Sequence, residues 1–115
     1  MPVRLLLVDD DAAFRESAAQ LLAGRGYDVV GQASTVAEAR AAVGRLHPDA
    51  LLLDVNLPDG NGVDFAAELG DGTRVVLCST DSSAVTRRLL ERCGAVGFVA
   101  KPDLMAVDLR SFLGS

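Results

Sequence analysis

The residues able to do chemistry in this chain are acids that follow apolar runs. Asp9, Asp10 and Asp11 come after Leu5-Leu6-Leu7-Val8, and Asp54 comes after Leu51-Leu52-Leu53. Two more runs end in other polar groups: Arg74 to Cys78 leads to the hydroxyls of Ser79 and Thr80, and Gly97 to Val99 leads to Ala100 and Lys101. Carboxylates about 4 Å apart repel by on the order of 4 kcal/mol per pair at an effective dielectric of roughly 20. If these acids share a pocket, a hard cation with oxygen ligands must neutralise them. Magnesium suits one or two carboxylates, with water and phosphate completing its shell. Lys101 is the single lysine among eleven basic residues, and its ammonium is a movable point charge suited to a carboxylate or phosphate oxygen.

Capping is the plainer explanation for each acid taken alone. Asp10 or Asp11 would cap a helix and Asp54 would begin a turn. Capping does not explain why acids end both of two apolar runs while a hydroxyl and a lysine end two others.

The elements that must position these groups follow from the alternation of short Val- and Leu-rich runs with amphipathic segments, the pattern of β-α units around a parallel sheet. Val3 to Val8 predicts a strand covered on both faces. Ala13, Phe14, Ala18, Leu21 and Leu22 recur at helical spacing between about Ala12 and Ala23, and Gly24 and Gly26 supply the stop. Tyr27 to Gly31 predicts a second strand. Ser34 or Thr35 is placed to cap a helix whose Ala39, Ala42, Val43 and Leu46 form one face, until Pro48 forbids continuation. Ala50 to Leu53 predicts the third strand, and Val55 to Gly62 a glycine-punctuated loop. A short helix from about Val63 to Leu69 precedes the fourth strand, Arg74 to Cys78. A helix from about Ser82 to Cys93, a fifth strand from Gly97 to Val99 and a last helix from Leu104 to Leu113 complete the count of five strands and five helices. The expected fold is α/β, with five parallel strands and helices packed on the sheet. In such a sheet all strands exit on one edge, and ligands bind there where the strand order reverses.

Composition narrows the function. The 115 residues suit one domain with a single core. The apolar runs fall far short of the roughly 18 consecutive apolar residues of a membrane span, and the first residues lack the length and cleavage pattern of a signal peptide, so a cytoplasmic location is expected. The formal net charge is −5 and the ten arginines are scattered, which argues against direct nucleic-acid binding. Cys78 and Cys93 lack the paired spacings of zinc or redox sites and read as two buried thiols. His47, before Pro48, reads as a helix C-terminal residue.

Leu5-Leu6-Leu7-Val8-Asp9-Asp10-Asp11, the segment Leu52-Leu53-Asp54-Val55-Asn56-Leu57-Pro58-Asp59-Gly60-Asn61-Gly62, Ser79 and Lys101-Pro102 together resemble the response-regulator receiver domain of two-component signalling, a chemotaxis-receiver-like family. The resemblance covers essentially the whole chain as one domain, residues 1–115, and the separations of Asp10 from Asp54 and of Ser79 from Lys101 agree with it. It implies a doubly wound, flavodoxin-like α/β fold with the strands in the order 2-1-3-4-5. It also implies that Asp54 is the modified residue, a nucleophile that takes a phosphoryl group from a histidine kinase, a phosphotransfer protein or a small phosphodonor. Asp10 would ligate Mg2+ directly, Asp9 would hold it through water or orient its shell, and Asp54 and the backbone carbonyl of Asn56 would be further ligands. Ser79 and Lys101 would bind phosphoryl oxygens. Ser79 and Phe98 would form the switch that reshapes the face made by the fourth helix, fifth strand and fifth helix. The domain would catalyse its own phosphorylation and dephosphorylation without being a turnover enzyme. Its signal would pass to a downstream protein or fused effector, with a homodimer formed on phosphorylation left open.

The chain departs from the family pattern in a few places. Ser79 stands where threonine is commoner, Phe98 where tyrosine is often found, and Thr80 where a small apolar residue is usual; the third helix is short. Asn56 and Asp81 occupy positions whose side chains tune phosphoryl hydrolysis in the family. A rival is a magnesium phosphatase of the haloacid-dehalogenase type, because Asp9-Asp10-Asp11 contains an Asp-x-Asp. Ala13 stands where that motif wants threonine or valine, and the chain is short for it. A second rival, a receiver fold that binds constitutively without phosphorylation, would be expected to have lost an acid or the lysine.

Overall fold

The computed structural model of the chain describes residues 2–80 and 87–113. Its sheet is built from the apolar runs: β1 (Arg4–Val8), β2 (Asp28–Ala33), β3 (Ala50–Asp54), β6 (Arg74–Ser79) and β7 (Gly97–Ala100). These five strands are parallel and lie in the order β2-β1-β3-β6-β7, the expected 2-1-3-4-5. β1 and β3 are the middle of the sheet, and from Leu5 to Val8 and Ala50 to Leu53 every side chain is buried. That is why both runs are continuously apolar instead of alternating.

The alternating faces of the strands feed two cores. Leu6, Leu53, Val75 and Leu77 pack with Ala39 and Ala42 of α2 (Val36–Leu46) and Phe65 of α3 (Gly62–Leu69). Leu5, Leu7, Leu52 and Val76 pack on the opposite face with Ala18 and Leu22 of α1 (Ala12–Gly24). Burying a large aliphatic side chain is worth about 1.5–3 kcal/mol, so the two-sided burial of β1 and β3 anchors the strand ends from which Asp9 and Asp54 project.

Helix boundaries follow their capping residues. The Asp11 side chain accepts the Phe14 N–H at 3.2 Å and starts α1. Thr35 accepts the Glu38 N–H at 3.0 Å and starts α2. His47 ends α2 with φ of 49°, in the left-handed region, consistent with its reading as a terminal residue. Of the helix expected from Ser82 to Cys93, the part described is α4 (Arg87–Cys93); its start and Asp81 lie outside the described residues. Cys78 and Cys93 are free, buried thiols.

Three expectations need correction. The second strand starts one residue later and runs two further than Tyr27 to Gly31, and its pairing with β1 slips by one residue between Leu5 and Leu6. The stretch expected as loop contains an antiparallel hairpin, β4 (Asn56–Leu57) with β5 (Gly60–Asn61), closed by the turn residues Pro58 and Asp59. The last helix is largely absent. A 3-10 turn spans Lys101–Asp103, and α5 is confined to Arg110–Leu113. Val107 and Asp108 interrupt the helix. Asp108 competes for the backbone as short polar side chains do: its carboxylate accepts the Arg110 N–H at 3.0 Å and its carbonyl the Ser111 N–H at 3.2 Å, so a new turn begins there. The Arg25 guanidinium occupies the carbonyls of Leu104, Met105 and Val107, so these do not need a helical partner.

Candidate functional site

The exits of β1 and β3 are neighbours on the sheet's C-terminal edge, β7 exits on the same edge beyond β6, and their polar residues converge. Asp9 and Asp54 are only 2% and 6% exposed, whereas Asp10 is open to solvent. Each of Asp9, Asp10 and Asp54 offers a carboxylate oxygen, and these oxygens lie within 4.8 Å of one another. The Lys101 ammonium reaches in from the end of β7, 2.6 Å from Asp9 Oδ2 and 3.3 Å from Asp54 Oδ2.

Backbone donors fix the acids further. The Asp11 N–H donates to Asp9 Oδ1 at 2.9 Å, and the Asn56 N–H donates to Asp54 Oδ1 at 3.3 Å. Asp9's own N–H is tied to the Ala33 carbonyl at 3.0 Å, and its carbonyl accepts from the Arg15 guanidinium. The Phe14 ring lies against the Lys101 ammonium, with its centroid 4.7 Å from Nζ.

One ammonium against three carboxylates leaves the pocket electronegative. Burial and the Asp9 carboxylate push the Asp54 carboxyl above its ordinary range, and Lys101 only partly offsets them. Burial works to discharge Lys101, but Asp9 and Asp54 outweigh it and hold the ammonium above its usual value. Among the described residues Asp9 Oδ2 has no partner besides this ammonium. An all-oxygen donor set with excess negative charge and an oxygen with bonding capacity to spare fits a hard divalent cation.

The remaining sequence-derived residues are placed by register. Asp54 is opposite Cys78 and Ala100 is opposite Ser79, so Ser79 lies one step beyond Asp54's level in the sheet and Lys101 two. Ser79 is buried, and strand alternation puts its side chain on the face of Val75 and Leu77. Phe98, opposite Leu77, is half-buried and packs on that same core face. The Asn56 side chain is exposed, and it is the residue's backbone that meets Asp54.

The profile of the response regulator receiver domain matches residues 5–110. The chain belongs to the response-regulator receiver family. This receiver is 40% identical over 113 residues to the DNA-binding transcriptional activator DevR/DosR of Mycobacterium tuberculosis, covering 93% of this chain and 51% of that protein. It is 36% identical over 113 residues to a protein-glutamate methylesterase/protein-glutamine glutaminase of Archaeoglobus fulgidus, covering 95% of this chain and 32% of that protein. The receiver thus spans about half the length, or less, of these relatives. In three dimensions it resembles a putative response regulator from Chloroflexus aurantiacus, with a TM-score of 0.84, 27% identity and full coverage of both chains.

Two neighbours of the receiver's acid pocket, and one residue of the hairpin that follows Asp54, escaped the sequence reading. Phe14 was legible only as one apolar helix position among several. Arg15 carried no signal, since its partner at the pocket is the main-chain carbonyl of Asp9 and its other partner is the Gln32 side chain 17 positions away. Asp59 falls inside the expected loop from Val55 to Gly62 with no role of its own, whereas its carboxylate accepts the Val36 and Ala37 N–H groups at 2.7 and 3.0 Å. Among the described residues no helix is long and apolar enough to cross a membrane.

Proposed function

We propose that residues 1–115 act as one receiver domain, a phosphorylation-controlled switch in which Asp54 is the phosphoacceptor. The observation that carries this reading is the position of the buried Asp54 carboxylate, within reach of Asp9, Asp10 and the Lys101 ammonium. One Asp54 oxygen attacks phosphorus as the bond to the donor breaks, giving an acyl phosphate. The donor is a phosphohistidine of a kinase or phosphotransfer protein, or a small acyl phosphate.

Asp10, Asp54 and the Asn56 carbonyl would hold Mg2+, with Asp9 acting through water. Bound there, the ion would neutralise charge between the incoming phosphoryl group and the carboxylates, the principal need in phosphoryl transfer. Lys101 turns from Asp54 to a phosphoryl oxygen, and the Ser79 hydroxyl donates to another. The new charge and acceptor oxygens draw Ser79 inward. Phe98 follows on the shared face of the sheet, biasing a pre-existing equilibrium of the surface around α4, β7 and α5. Hydrolysis of the acyl phosphate resets the switch.

The relatives' names suggest the output, since a receiver of this kind is joined to a DNA-binding activator in one and to a methylesterase in another. On this reading the chain works in the cytoplasm and controls an effector, fused or separate, without itself binding nucleic acid. The test is intact-mass measurement after incubation with acetyl phosphate and Mg2+. The expected result is one added phosphoryl group, absent in Asp54→Asn and without Mg2+. Labelling that persists in Asp54→Asn overturns the assignment, and continuous release of phosphate from a monoester would favour a phosphatase instead.

A further inference from the structure

The hairpin that follows Asp54 is tied at both ends. At its base the Val55 N–H donates to the Cys78 carbonyl at 3.0 Å, the Gly62 N–H to the Val55 carbonyl at 2.7 Å, and the Asn56 N–H to Asp54 Oδ1 at 3.3 Å. At its tip Asp59 reaches a different part of the chain. Its Oδ1 accepts the Val36 N–H at 2.7 Å and its Oδ2 the Ala37 N–H at 3.0 Å. These are the first two donors of α2, which lack partners within their own helix.

The rest of that helix start is capped locally. Thr35 accepts the Glu38 N–H at 3.0 Å, and Glu38 Oε1 accepts from the Ser34 N–H at 2.8 Å and the Ser34 hydroxyl at 2.7 Å. Asp59 therefore contributes the part of the cap that crosses between segments. The hairpin also lies directly on α2: a Cβ built at Gly60 would sit 3.1 Å from Val36 Cγ2. Two residue pairs do not make a hairpin stable alone. Leu57, buried on the α2 and α3 core, and the Asp59 clamp hold it in place.

We infer that Asp59 is a positioning residue for the acceptor loop: by gripping the start of α2 it fixes the hairpin, and with it the Asn56 peptide beside Asp54. The inference rests on the proposed role of Asp54 for its functional consequence, but its structural half stands apart from it. If Asp59 serves α2 alone, its loss loosens the helix. If it positions the loop, its loss loosens residues 56–61 and leaves the acid pocket with an ill-placed backbone.

Backbone amide exchange of the metal-free protein separates these outcomes. Asp59→Ala is expected to speed exchange of the Asn56 and Leu57 amides by about tenfold, as a local opening does. Thr35→Ala removes a cap from the same helix without touching the hairpin, and it should leave those two amides within about twofold of the parent. Asp59→Asn, which keeps one acceptor, should restore part of the protection. With acetyl phosphate and Mg2+, the labelling rate of Asp59→Ala should fall while that of Thr35→Ala does not. Equal effects of Thr35→Ala and Asp59→Ala on the hairpin amides, or faster exchange confined to α2, would overturn the inference. Failure of the parent protein to label would sink the phosphoacceptor reading and leave the exchange comparison intact.

Discussion

The Phe14 ring lies 4.7 Å from the Lys101 ammonium, so that ammonium rests against an aromatic ring as well as two carboxylates. Phe14 belongs to the first turn of α1, which Asp11 caps, and Lys101 leaves the end of β7 on the far side of β1 and β3. The contact therefore links helix and strand ends across the site. A partly desolvated cation–π contact is worth about 0.5–2 kcal/mol.

That contact predicts energetic coupling. Phe14→Leu and Lys101→Met should each lower stability to urea, and the double variant should lose about 1 kcal/mol less than the two losses added. A coupling indistinguishable from zero would mean that the ring merely fills space beside the lysine.

The acid pocket predicts stabilisation by divalent ions. Because a ligand of the native state adds RT ln(1 + [L]/Kd), Mg2+ at a hundred times its Kd should add about 2.7 kcal/mol. The midpoint of thermal unfolding should rise with Mg2+ and fall back on chelation, while NaCl of equal ionic strength should not reproduce the rise. Asp10→Ala, at the exposed acid of the cluster, should remove most of the response.

How far the sequence discloses this arrangement depends on the range of each interaction. The strand order is legible through the family resemblance, and the meeting of Asp9, Asp10, Asp54 and Lys101 because parallel strands share an exit edge, so an acid after an apolar run already has an address. The last helix is not legible, because Leu104 to Leu113 has the apolar content of a helix, and only the Arg25 guanidinium, about eighty positions away, and the turn at Asp108 show why it breaks. The slip in β1–β2 pairing has no local signature. Likewise the Asp59 clamp joins side chain to main chain across 22 and 23 positions, and backbone donors leave no trace in residue types.

Asp59 also sets a pH dependence. Its bonds to the Val36 and Ala37 N–H groups hold its carboxyl below the usual range. Its folded pKa is thus lower than its unfolded one, so its contribution is present above the ordinary carboxylate range and is lost as pH falls through the depressed value. The Val36 and Ala37 amide resonances should shift together with the Asp59 carboxyl at that lower pH. Asp59→Asn should flatten this part of the acid limb of stability, and a Val36 shift that titrates unchanged in Asp59→Asn would assign it to another group.

Cys78 stands opposite Asp54 in the sheet and is buried. Burial pushes its thiol up to about 12, and a thiol that stays protonated is a poor nucleophile. At pH 8 the native protein should leave Cys78 unmodified by iodoacetamide, with alkylation appearing once the chain is unfolded in urea. Rapid native alkylation at Cys78, read by peptide mass, would show that the strand ends open to solvent.

Two glycines should differ in whether their replacement can be rescued. A Cβ on Gly62 would sit 2.1 Å from the Asp54 carbonyl oxygen and 3.0 and 3.1 Å from the Asp54 carbonyl carbon and Val55 Cα, all main-chain atoms that no rotamer change can move. A Cβ on Gly97 would meet the Phe112 ring at 2.3 Å, and a ring is a side chain. Overpacking typically costs about 1–3 kcal/mol, more where the backbone must shift. Gly97→Ala should fall in that range and recover at least half of the loss when combined with Phe112→Leu. Gly62→Ala should cost about 3 kcal/mol or more, because Asp54 must give way for the methyl group. Since the displaced carbonyl belongs to the residue proposed to accept the phosphoryl group, Gly62→Ala should also slow labelling by acetyl phosphate at temperatures where the variant remains folded. Gly97→Ala, whose clash lies at Phe112 and not at Asp54, should label at a rate close to that of the parent.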